Sequence, residues 1–93
     1  MDKLTKPANA MPYTPRIASA AINHNGKIWT GRRHSEIMYD IWKVDEKAKI
    51  PQSEQGFVTD TGEFVNRFQA GAIAFRAGQT KERKQTLLSE HVW

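Results

Sequence analysis

The stretch KIWTGRRHSEIMYDIW, Lys27 to Trp42, changes its period halfway along. Its first half alternates and carries an aromatic residue, the habit of a strand with one buried face. After Gly31 the apolar residues Ile37, Met38, Ile41, Trp42 and Val44 recur at the spacing of one helical face. A strand therefore runs directly into a helix, and the joint holds Gly31 and three consecutive potential cations, Arg32, Arg33 and His34. Ser35 is the expected N-cap, with Glu36 in the first turn where the positive end of the helix dipole favours a carboxylate. The following run DEKAKIPQS is charged and then broken at Pro51, so the helix should fade near Lys47.

Working outward, the upstream run RIASAAINHNGKIWTG carries Asn25-Gly26 at its centre. That dipeptide suits the two positive-φ positions of a type I′ turn and predicts a hairpin. The alanines of its first strand invite close approach, while Ile28 and Trp29 supply bulk to the second. Downstream, QGFVTDTGEFVN places two short β-prone runs around Asp60-Thr61-Gly62, a second hairpin. Asn66 then reads as an N-cap, and Gln69 three residues on completes a capping box. Phe68, Ala72 and Phe75 fall at i, i+4 and i+7 with Ile73 beside them, and Gly78 stands where a helix-ending glycine belongs. The small residues Ala70, Gly71 and Ala74 mark a second helix face open to close approach. The element order is ββαββα, which predicts a small α+β domain: an antiparallel sheet of about four strands with two helices packed on one face.

The chain of 93 residues has room for one domain with a modest core. Residues 1–15 hold Pro7, Pro12 and Pro15 with little periodic apolar content and read as a flexible N-terminal arm; the domain is expected over 16–93. Its end, LLSEHVW, is apolar enough to predict a docked C-terminal tail. With no cysteine there is neither a disulfide framework nor a thiolate metal site, and cytoplasmic residence is the expectation. No apolar run approaches the roughly 20 residues of a membrane-spanning helix. The net charge of +4 suits an anionic partner. Two clusters stand out among its cations, one at Arg32 and Arg33 and one of Arg76, Lys81, Arg83 and Lys84.

Chemistry is expected first at Arg32-Arg33-His34. A helix start presents unpaired amides and a positive partial charge, and guanidinium groups beside it can grip a phosphate through two parallel bonds. Two arginines at a strand end can equally do no more than solvate the surface. The three histidines are scattered, and none has a partner at metal-ligand spacing, so no metal and no cofactor is expected. No nucleophile elbow, phosphate loop or dinucleotide fingerprint is present, and no catalytic residue is assigned. Phe57 and Trp93 are the aromatic residues placed to stack a base or cap an oligomer interface, against the plainer role of core packing.

The segments GKIWTGRRHSEI, QGFVTDTGEFVNRFQAGAIAFRAGQ and LLSEHVW together resemble the first-described anti-Thoeris family, small phage-encoded proteins that sequester the cyclic nucleotide signal of a bacterial immune system. The resemblance covers about residues 17–93 and departs from the family pattern at Phe68-Gln69-Ala70, where Gln69 replaces an acidic residue. It implies a four-stranded sheet with two helices and a homo-oligomer assembled from dimers in the host cytoplasm. The ligand it implies is a cyclic ADP-ribose isomer or a cyclic oligonucleotide, enclosed at subunit boundaries without cleavage. By the same resemblance, Arg33, His34 and Phe57 lie near phosphate and base, Asn66 and Arg67 at the second helix start, and Lys81 and Arg83 in a closing clamp. The competing expectation is a basic inhibitor that binds nucleic acid or a host defence nuclease by surface contact. A weaker third reading is a phosphodiesterase-like enzyme relying on His34.

Overall fold

The structure, a computed structural model, describes residues 14–93; of the proline-bearing arm, residues 1–13 lie outside the described residues. The chain forms strands β1 (Ile17–His24) and β2 (Lys27–Gly31), helix α1 (His34–Val44), strands β3 (Gln55–Thr59) and β4 (Phe64–Asn66), and helix α2 (Arg67–Arg76). Short 3-10 turns occupy Gln52–Glu54 and Ser89–His91. The four strands make one antiparallel sheet in the order β2-β1-β3-β4. This is the α+β architecture expected from the period changes.

Local chemistry accounts for the hairpins. Asn25 and Gly26 both adopt positive φ, 53° and 78°, so the two-residue turn matches the twist of β1 and β2. In the second hairpin the Thr59 N–H donates to the Glu63 carbonyl, the Gly62 N–H donates back to the Thr59 carbonyl, and Gly62 takes the left-handed position. Helix α2 opens on the capping box: the Asn66 side chain accepts from the Gln69 N–H at 2.7 Å, and the Gln69 side chain accepts from the Asn66 N–H at 3.0 Å. It closes on a Schellman arrangement, with the Gly78 N–H on the Phe75 carbonyl and the Gln79 N–H on the Ala74 carbonyl.

One core joins the layers. Ala20 and Ile22 of β1, Phe57 of β3 and Val65 of β4 meet Ile37 and Ile41 of α1 and Ala70 and Ala74 of α2, with Leu87 of the tail completing the cluster. Gly31 lets α1 lie close over β2, since a Cβ there would stand 2.9 Å from Ile37. The opposite face of the sheet is uncharged. Ser19, Val58 and Phe64 are in cross-strand register on it, as are Ala21 and Thr30, and Ile28 is exposed beside them.

Two local expectations, both for α1, are corrected. Helix α1 begins at His34, with Arg33 rather than Ser35 in the N-cap position, because the His34 side chain turns inward onto β3. It ends at Val44, short of Lys47. Helix α2 is seated on the small-residue face marked for close approach: Ala70, Gly71 and Ala74 are buried, while Phe68 and Phe75 are exposed. The chain after α2 folds back across the small face and brings the Lys84 carbonyl against Gly71, a contact that no larger side chain would admit.

Candidate functional site

The start of α1 opens on a cleft of about 360 Å³ lined by Arg33, His34, Ser35, Met38, Gln55, Arg67, Leu88, Ser89 and Glu90. Four elements meet there: the α1 N-terminus, the first residue of β3, the first residue of α2, and the C-terminal turn. No side chain caps the start of α1, so its first-turn amides present the positive end of the helix to this region.

His34 is the fixed point. Its ring is buried, donates from Nε2 to the Gly56 carbonyl at 2.7 Å, and stands edge-on against Phe57 with centroids 5.0 Å apart. With the proton on Nε2, Nδ1 is the basic nitrogen of the neutral ring. Burial lowers the His34 pKa from its ordinary 6.5; the Gly56 carbonyl opposes that shift, the Arg67 charge adds to it, and Glu90 opposes it. The neutral imidazole is therefore the resident form.

Arg67 spans the cleft floor. Its Nη1 donates to the Leu87 carbonyl at 2.8 Å and its Nη2 to the Gln55 Oε1 at 2.7 Å, while the Leu87 N–H donates back to the Arg67 carbonyl at 3.1 Å. Desolvation lowers its pKa, against the pull of Glu90. Arg33, half-buried, donates from Nη2 to the Trp93 carbonyl, and the Trp93 ring lies 6.3 Å from that of Phe57. The two arginines thus pin the tail at both ends. In both, the Nε–H is buried without a hydrogen-bond partner. An orphaned donor on a charged group costs on the order of 1–3 kcal/mol, a cost carried here by the same two side chains that hold the tail.

The sequence-derived candidates divide. Arg33, His34 and Arg67 come together in the cleft. Phe57 lies wholly inside the core, where it backs the His34 ring. Asn66 spends its side chain on the cap of α2. Arg32 is exposed at the strand end. Lys81 lines a separate groove with Gln79, Thr80, Glu82, Lys84 and His91, and Arg83 lies 5.6 Å over the Phe68 ring. Gln55, Ser89 and Glu90 were not singled out from sequence as cleft residues. Only the LLSEHVW string pointed toward the last two, because their approach to Arg67 depends on the tail folding back over 20 residues.

Protonating His34 in the fold puts a second charge beside Arg67, which gives an expected pH response. The folded-state pKa lies below 6.5, so the unfolded chain binds more protons. Stability present above about pH 6.5 declines as pH falls toward the folded-state pKa, and this contribution levels off below it. His34→Gln retains a donor for the Gly56 carbonyl without the titration. Urea midpoints at pH 7.5 and 5.5 should fall less for this variant than for the parent; equal falls would remove His34 from the account.

No curated protein and no solved structure matches the chain. Among the described residues, no helix is long and apolar enough to cross a membrane. The family model described as phage T4 y16D protein matches residues 16–93, a span that takes in all four strands, both helices and each residue of the cleft. The chain belongs to the phage T4 y16D protein family.

Proposed function

We propose that this phage protein binds and holds, without cleaving, a small cyclic nucleotide signal, with a phosphate seated between Arg33, Arg67 and the open start of α1. The observation that carries the reading is the convergence of Arg33, Arg67 and the uncapped start of α1 on one cleft. A phosphodiester supplies acceptor oxygens that guanidinium groups and helix-start amides can share. Met38 and Leu88 give the same cleft apolar wall for a base or sugar face. The imidazole is tied through Nε2 to the Gly56 carbonyl and packed edge-on against Phe57, which suits a positioning role. Sequestration of a cyclic ADP-ribose isomer or a cyclic oligonucleotide is the form of this function that the sequence resemblance favours. Assembly into a homo-oligomer draws support from the uncharged face of the sheet, on which Ile28 is exposed.

Thermal unfolding with cyclic ADP-ribose isomers and cyclic dinucleotides tests it. A ligand at 100 times its Kd stabilises by about 2.7 kcal/mol, a shift of roughly 10 °C or more for a domain this small. Ligand released by heating should be recovered intact, and Arg33→Ala should abolish the shift. Hydrolysed ligand would replace the binding protein with an enzyme. The alternative of a nucleic-acid or nuclease-binding inhibitor has one observation in its favour: Arg32, Lys81 and Arg83 are exposed outside the cleft. It requires DNA binding that weakens steeply with salt and depends on those residues rather than on Arg33.

A further inference from the structure

Glu90 is an anomaly in a cleft built for an anion. It lines the same cavity as Arg33 and Arg67, close enough for Arg67 and His34 to feel its charge, yet its carboxylate has no hydrogen-bond or ion-pair partner among the described residues. The backbone around it is fixed. Ser89–His91 forms a 3-10 turn, the Leu88 N–H donates to the His91 Nδ1 at 3.0 Å, and the Trp93 N–H donates to the Ser89 carbonyl at 2.9 Å. The turn thereby holds the Glu90 backbone on the tail side of the cleft, and its side chain is exposed.

An ionised carboxylate only accepts hydrogen bonds, and it repels a bare anion. It becomes an asset when the ligand carries a hydroxyl donor a few ångströms from its phosphate. With His34 neutral, Arg33, Arg67 and Glu90 leave a single net positive charge, which matches a phosphodiester better than a doubly charged phosphomonoester. Resting on the cleft reading above, we infer that Glu90 is a specificity residue that accepts from the 2′-hydroxyl of a ribose, so that the site takes cyclic ribonucleotide diesters and rejects deoxyribonucleotides and inorganic phosphate. Carboxylate recognition of a ribose hydroxyl is established chemistry in nucleotide-binding folds. Here it would be carried by a tail turn.

Isothermal titration of the full chain with adenosine 3′,5′-cyclic monophosphate and its 2′-deoxy counterpart tests the inference. The ribose form should bind about 10-fold to 100-fold more tightly, the range of one charge-assisted hydrogen bond. Glu90→Gln should erase most of that difference, chiefly by binding the deoxy form better, and Glu90→Asp, with its shorter reach, should also narrow it. Glu90 is exposed, and unchanged unfolding midpoints for both variants verify that the fold is intact. Equal affinity of the parent for the two nucleotides would overturn the role of Glu90 while leaving the phosphate site standing. Discrimination that persists undiminished in both variants would likewise overturn it. Binding of neither probe would overturn the inference about Glu90, whereas the cleft reading falls only if the cyclic ADP-ribose isomers and cyclic dinucleotides also give no thermal shift.

Discussion

Gly71→Ala should lower the thermal midpoint by about 10–20 °C, corresponding to roughly 2–3 kcal/mol of overpacking in a domain of this size. In an ordinary helix interior the same change would stabilise by about 1 kcal/mol, because alanine is the better helix former. The sign reverses here because a Cβ at Gly71 would stand 1.8 Å from the Lys84 carbonyl oxygen and 2.9 Å from its carbon. Those are backbone atoms, and the segment that carries them is held at both ends. The Gln79 N–H is on the Ala74 carbonyl, and the Leu87 N–H is on the Arg67 carbonyl. To admit one methyl group the crossing must lift from α2, which would disturb the buried Leu87 and the tail turn that walls the cleft. A midpoint equal to or above that of the parent would mean that the tail does not cross α2 at Gly71.

The same crossing explains what could and could not be read from the sequence. Turns and caps are local chemistry, and they were legible: Asn25-Gly26 gave the first hairpin, Gly62 the second, and Asn66 with Gln69 the start of α2. The seating of α2 was legible in part. Ala70, Gly71 and Ala74 mark a face open to close approach, but by period alone Phe68, Ala72 and Phe75 make an equally good apolar face, and nothing local says that Ala70 and Ala74 join the core while Lys84 crosses at Gly71. The start of α1 was misplaced for a related reason, since Ser35 is the better cap by composition but His34 is drawn inward by the Gly56 carbonyl, 22 residues away. In the cleft, Arg33 and His34 could be nominated from the strand-to-helix joint. The tie of Arg67 to Gln55 and Leu87, and the arrival of Glu90, depend on contacts between residues distant in the chain.

Replacing Arg67 tests whether the tail and the cleft are one structure. Its guanidinium bridges two acceptors, the Leu87 carbonyl and the buried Gln55 Oε1, while Gln55 Nε2 donates to the Ile50 carbonyl. Arg67→Ala strands both acceptors. Two charge-assisted bonds are lost at about 1.5–3 kcal/mol each, partly offset because a desolvated charge is also removed, so a net loss of about 3 kcal/mol is expected. Arg67→Lys should recover little of it: an ammonium keeps the charge, but it cannot span two acceptors with the geometry of a planar fork. Amide exchange then separates the tail from the rest of the domain. In both variants the Leu87 and Trp93 amides, held by the Arg67 and Ser89 carbonyls, should exchange far faster at temperatures where the β1 amides remain protected. If Arg67→Lys instead matches the parent in midpoint and exchange, a single positive charge at the cleft floor is sufficient. The tail would then not depend on the two-pronged bridge, and a lysine could serve the phosphate equally well.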